Sequence, residues 1–181
     1  MKGRIGVLAV LVCAAALAGC TYEKRLESSH PGPPIWVVQT PEDTQESKVF
    51  VGMSLADNIL DEKNARNRAM EDVRDQIASS LQTDMVREAI DIVEQRGAPH
   101  LGKDVDNAAY TAEVKSRVDQ AMPGVKQDAH YWEKWKVKQG FGLFGYTKYK
   151  YYVKAVMPKA IYERLLKALA ENVAADLERG A

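Results

Sequence analysis

Three stretches of this sequence set chemistry-bearing residue types at spacings that known sites use. Gly52-Met53-Ser54-Leu55-Ala56 holds a serine between a strand-like and a helix-like run, the setting of a hydrolase nucleophile. The final glycine of G-x-S-x-G is missing, and no series of alternating strands and helices surrounds it. The plainer expectation is that Ser54 leads into the helix, with Asp57 three residues on. Gly140-Phe141-Gly142-Leu143-Phe144-Gly145 spells G-x-G-x-x-G. A dinucleotide site needs a helix after those glycines, and here a strand-like run follows. The third stretch is basic: Lys134, Lys136, Lys138, Lys148, Lys150 and Lys154 face one acid, Glu133. His30, His100 and His130 stand apart from one another and from other metal-ligand types, Asp128 beside His130 being too little for a site. No catalytic residue, metal or cofactor is therefore expected.

The N-terminus carries the most ordered chemical signal. Lys2 and Arg4 precede fourteen uncharged residues, Ile5 to Ala18, rich in Val, Leu and Ala. That is the apolar core of an export signal and falls short of the ~20 residues that span a bilayer. It ends Leu17-Ala18-Gly19-Cys20, which resembles the bacterial lipobox: the thiol is diacylated, the chain is cut before the cysteine, and the new amine is acylated. Two or three acyl chains, at ~0.8 kcal/mol per buried CH₂, hold a protein on a membrane essentially permanently. Thr21 stands where many inner-membrane lipoproteins carry Asp, so the resemblance implies the outer membrane. Cys13 leaves with the leader and Cys20 is alkylated, so no internal disulfide is expected.

The elements that follow are legible from periodicity. Residues 21–34 (TYEKRLESSHPGPP) are polar and end in a Pro/Gly cluster, which predicts a flexible tether reaching at most ~50 Å. Residues 35–38 (IWVV) suggest an edge strand, and 48–53 (KVFVGM) a better one. Ala65, Ala69, Val73, Ile77, Leu81 and Met85 recur four apart, with Met70, Ala78, Ala89 and Ile92 widening the stripe, so a helix is predicted over 61–95. Its early alanines suit close packing on a sheet. A weaker helix fits 105–122. The period then falls to two over 131–138 and 148–157, predicting an antiparallel hairpin. After Pro158, Ile161, Leu165, Leu169, Val173 and Leu177 form one helical stripe. The expected class is α+β: a small antiparallel sheet with helices on one face, preceded by a cleaved signal (1–19) and a lipidated tether (20–34), with one domain over 35–181.

On that hairpin the alternation is expected to gather all six lysines on one face. Lysine on a solvated sheet face ordinarily serves solubility and discourages edge pairing. The functional reading is a positive surface for phospholipid headgroups, lipopolysaccharide phosphates or an acidic partner, with Phe141, Leu143 and Phe144 at the hairpin tip. Nucleic acid is not expected. The whole chain balances 25 Lys+Arg against 25 Asp+Glu, and loss of Lys2 and Arg4 leaves 23 against 25. At 181 residues the chain supports one domain rather than two.

Taken together, the sequence resembles the twenty-kilodalton bacterial lipoprotein (Lpp-twenty-type) family. The residues that carry the resemblance are Trp36-Val37, the strand 49–52, Ala65 and Ala69, Trp132 and Trp135, and Tyr151-Tyr152-Val153-Lys154-Ala155. The resemblance implies an envelope lipoprotein with a small α+β domain and no catalytic residues, some members being flagellum-associated. The expectation is a non-enzymatic outer-membrane lipoprotein, held by its acyl anchor and contacting an envelope protein partner or a second copy of itself in a homo-oligomer. Alternatives are a regulator of a periplasmic cell-wall enzyme and a Ser54 hydrolase.

Overall fold

A computed structural model of the chain describes residues 22–54, 61–97, 107–139 and 144–179. The fold is α+β. Four antiparallel strands, β1 (Tyr22–Ser28), β2 (Ser47–Met53), β3 (Lys126–Gln139) and β4 (Phe144–Pro158), lie in the order β1-β3-β4-β2. A one-turn helix α1 (Ile35–Val38) precedes β2. Helices α2 (Glu62–Gln95) and α3 (Asn107–Ala121) follow it, and α4 (Lys159–Arg179) closes the chain. The helices predicted over 61–95 and 105–122 are thus present. So is the hairpin, whose strands are longer than the alternating runs alone marked.

The hairpin is the spine of the molecule. Each arm spans about 45–50 Å at ~3.3 Å per residue, and the two edge strands grip opposite halves of it. β2 pairs with residues 152–158 of β4, whereas β1 pairs with residues 133–138 of β3. The helices cover one face. The α2 stripe Ala65, Ala69, Val73, Ile77, Leu81, Met85 and Ala89 is fully buried against Tyr151, Val153, Ala155 and Met157 of β4 and against α4 residues Leu169, Ala170, Val173 and Ala174. Small side chains bring α2 very close to the sheet: a Cβ on Gly52 would lie 2.0 Å from the Ala69 carbonyl oxygen. Asp61 caps α2, its carboxylate accepting from the Asn64 amide at 2.9 Å.

The outer edge of β2 is closed by side chains. The Val49 amide donates to Asp43 at 2.9 Å and the Met53 amide to Asp72 at 2.8 Å, while Gln76 Nε2 donates to the Val51 carbonyl at 2.9 Å. An edge satisfied in this way is a poor template for another strand.

Two expectations fail here. Residues 35–38 form a helical turn, with the Val37 amide donating to the Pro34 carbonyl and Gln39 to Ile35. Pro34 supplies no amide for a ladder and leads into the turn instead. Much of the expected tether is strand β1, so a boundary at residue 35 would sever part of the sheet. Its sequence YEKRLES has no apolar alternation. The strand is held instead by backbone pairing and by charges on β3 and β4, more than a hundred residues away: Arg25–Glu133 at 3.2 Å, Glu27–Lys134 at 3.7 Å and Glu23–Lys148 at 2.7 Å.

Candidate functional site

The hairpin register corrects the expectation of one six-lysine face. Gln139 pairs with Phe144, Lys138 with Gly145 and Trp135 with Lys148, so even-numbered residues of β3 lie opposite odd-numbered residues of β4. Directly opposed residues share a face. Lys134, Lys136 and Lys138 therefore share the helix side with Tyr149 and Tyr151, while Lys148, Lys150 and Lys154 occupy the outer face with Tyr152. The parity within each strand is as expected. The connection of four residues between Gln139 and Phe144 puts the two sets on opposite sides. Of the expected tip residues, Phe141 and Leu143 lie outside the described residues, and Phe144 opens β4.

On the outer face each lysine has a partner. Lys148 is 4% exposed and pairs with Glu23 at 2.7 Å. Lys154 pairs with Asp128 at 2.7 Å, and the Lys150 ammonium stands 4.5 Å from the centroid of the Trp135 ring. At the centre is Glu133, 8% exposed. Its carboxylate accepts from the Tyr131 hydroxyl at 2.8 Å, from Trp135 Nε1 at 2.8 Å and from Arg25 Nη1 at 3.2 Å. Burial pushes its pKa up, but those three donors outweigh burial and hold the carboxyl below its ordinary range. Tyr131, fully buried, shifts upward because of burial and of the same carboxylate. The network ties β1 to the hairpin. No buried side-chain polar atom among the described residues lacks a partner.

The helix-side face at the hairpin end differs. The sheet here runs past the helix layer, and β1 continues it, Tyr22 pairing with Lys138 and Lys24 with Lys136. Lys24, Lys136 and Lys138 are exposed and form no ion pair among the described residues. The acid on this face, Glu27, is taken by Lys134. The first described strand starts here too: β1 begins at Tyr22, two positions after Cys20, which lies outside the described residues.

Sequence reasoning missed a second surface. Val49, Val51 and Met53 point away from the helices and, with Trp36, Val37 and Val38 of α1 and Tyr152, line an open groove of about 270 Å³. Thr40 and Gln76 add polar groups to the lining, and large apolar side chains around it are exposed, with Ile35 at 76%, Val38 at 74% and Met53 at 40%. The volume falls just under the ~300–1,000 Å³ of small-molecule sites, so it suits one or two large side chains better than a cofactor. The available signal was Trp36-Val37-Val38 beside prolines, which reads equally as a strand.

The remaining motifs are placed as follows. Ser54 is 4% exposed, and its Oγ accepts from the Tyr151 amide at 2.9 Å while its own amide donates to the Tyr151 carbonyl at 2.9 Å. The residue extends the β2–β4 pairing by one step. His130 stacks on Tyr151 at 5.8 Å between centroids, and His30 lies 6.3 Å from Tyr131. His100 and residues 140–143 of the glycine motif are outside the described residues, and that motif joins strand to strand. Among the described residues no cluster of three or more His, Cys, Asp or Glu is arranged to hold a metal, and no helix is long and apolar enough to cross a membrane. Comparison with known proteins finds no matching family model, curated protein or solved structure.

Proposed function

We propose that this chain is a lipoprotein of the bacterial outer membrane, anchored through acyl groups on Cys20, whose domain has a structural, contact-making role in the cell envelope. The observation that carries the reading is the order of the leader: two cations, fourteen uncharged residues, then Leu17-Ala18-Gly19-Cys20. A contact role is supported by the apolar groove beside α1, where Ile35, Val38 and Met53 are exposed around a cavity sized for side chains. The resemblance to the twenty-kilodalton lipoproteins makes an envelope assembly, flagellar assemblies included, the first setting to search.

The test is labelling with palmitate in cells producing the full chain. Label on the purified protein, lost in Cys20→Ser together with membrane association, is the expected result. Recovery of an unlabelled soluble species with its leader intact overturns the reading. In the same cells, cross-linking should trap an envelope protein on the wild-type chain and lose it in Val38→Asp, a change at an exposed site that leaves the core untouched. An unaltered cross-link refutes the contact role of the groove.

A further inference from the structure

The strand that replaces the expected tether fixes the distance between the anchor and the domain. From Cys20 to Tyr22 the chain spans at most ~7 Å, and paired strand residues have Cα atoms ~5 Å apart. Lys138, the partner of Tyr22, is thus within about 12 Å of the residue that carries the acyl chains in the proposed function. The helix-side face of the hairpin end cannot move far from the lipid surface while β1 stays paired.

That face has the charge for such a position. Lys24 and Lys136 lie opposite each other on β1 and β3, and Lys138 is the next residue on the same side. All three are exposed and form no ion pair among the described residues, in contrast to the outer face, where Glu23 and Asp128 neutralise Lys148 and Lys154. Tyr22, 59% exposed on the same side, is an amphipathic ring of the kind that settles at headgroup level. We propose that Lys24, Lys136, Lys138 and Tyr22 form a membrane-docking face that rests on anionic phospholipid headgroups, so that the anchored domain stands on its hairpin end with a fixed orientation. The proposal rests on acylation of Cys20 and adds a site to it. One lysine near an anionic surface is worth about fivefold in occupancy, so three are worth on the order of 100-fold between docked and undocked orientations.

The experiment adds the protein purified from membranes of cells producing the full chain to preformed vesicles of phosphatidylcholine alone or with phosphatidylglycerol. A water-soluble amine-acylating reagent is then applied, and each lysine is read by mass spectrometry. On the phosphatidylglycerol vesicles, Lys24, Lys136 and Lys138 should label at least about fivefold more slowly than on phosphatidylcholine, while the exposed helical lysines Lys115 and Lys167 label equally on both. Salt at 1 M, which shortens the screening length to ~3 Å, should abolish the difference. Equal labelling of the three lysines on both vesicles, with acyl chains present on the Cys20 peptide, overturns the docking face alone. A Cys20 peptide without acyl groups, on protein that washes off both vesicles, overturns the anchoring reading and the docking face with it. In the triple variant K24E/K136E/K138E, acylated and with wild-type circular dichroism, the remaining lysine of that face, Lys134, should label equally on both vesicle types; protection of Lys134 on the phosphatidylglycerol vesicles alone refutes the role of the three lysines.

Discussion

If β1 belongs to the sheet because Glu133 holds it, then changing that carboxylate to an amide should loosen the strand without disturbing the helical core. Glu133→Gln keeps the shape but leaves a single carbonyl oxygen where Tyr131, Trp135 and Arg25 now donate, and turns an NH₂ toward other donors. Hydrogen bonds to a buried charge contribute ~1.5–3 kcal/mol each. The Arg25 side chain is 39% exposed, so its share is screened and worth no more than ~1 kcal/mol. One buried bond lost together with the charge comes to roughly 2–4 kcal/mol, or about 5–15 °C in melting temperature for a domain of this size. Because the folded-state pKa of Glu133 lies below its unfolded value, this contribution is complete above the unfolded value near ~4.3 and drains as pH falls through the folded one. The gap between wild type and variant should therefore be constant from about pH 7 to 5 and shrink below about pH 4. Urea denaturation across that range measures it, and hydrogen exchange should show Tyr22–Ser28 amides opening faster while α2 amides keep their protection. A variant within ~0.5 kcal/mol of wild type at pH 7, or a gap unaltered down to pH 3, would refute the reasoning.

Two further substitutions probe the joints of the fold. Alanine ordinarily suits a strand better than glycine, yet Gly52→Ala should destabilise by about 3 kcal/mol or more, because its Cβ would lie 2.0 Å from the Ala69 carbonyl oxygen and 2.6 Å from Val73 Cγ2; an unchanged melting temperature would show that α2 can lift off the sheet. Ser54→Ala removes the acceptor of the buried Tyr151 amide and should cost ~1–2 kcal/mol in urea denaturation. Loss of ester hydrolysis with no change in stability would instead assign Ser54 as a nucleophile.

What was legible in the sequence was whatever repeats locally. The four-residue spacing from Ala65 to Met85 marks a face that is fully buried, and alternation through Tyr151, Val153, Ala155 and Met157 marks the helix-covered side of β4. Pairing decided by distant residues was not legible. β1 is a polar heptapeptide whose partners are charges on β3 and β4, so its own composition is that of a tether. For α1, four apolar residues after two prolines carry no period at all, and one turn of helix and one short strand look alike. The groove beside it was hidden for the same reason, since it exists only where α1 meets the outer side of β2.

The lysines show how a single integer outside the strands controls the surface. Four residues connect Gln139 to Phe144, and with that number each even position on β3 faces an odd position on β4. An odd-numbered connection with the same strands would stack all six lysines on one side, while Glu133 would keep its partners, which lie on β3 itself and on β1. The even connection divides the charge instead. Three lysines go to the face where Glu23 and Asp128 neutralise two of them and the third stands over the Trp135 ring, and three go to the face where Glu27 is already held by Lys134. Counting lysines along the sequence therefore overestimates the patch twofold. It also understates its position, because β1 brings Lys24 into the row and sets the row two to four residues from Cys20. A smaller charge at a fixed, short distance orients a domain more effectively than a larger one on a free coil, since the field that acts on it decays within ~10 Å.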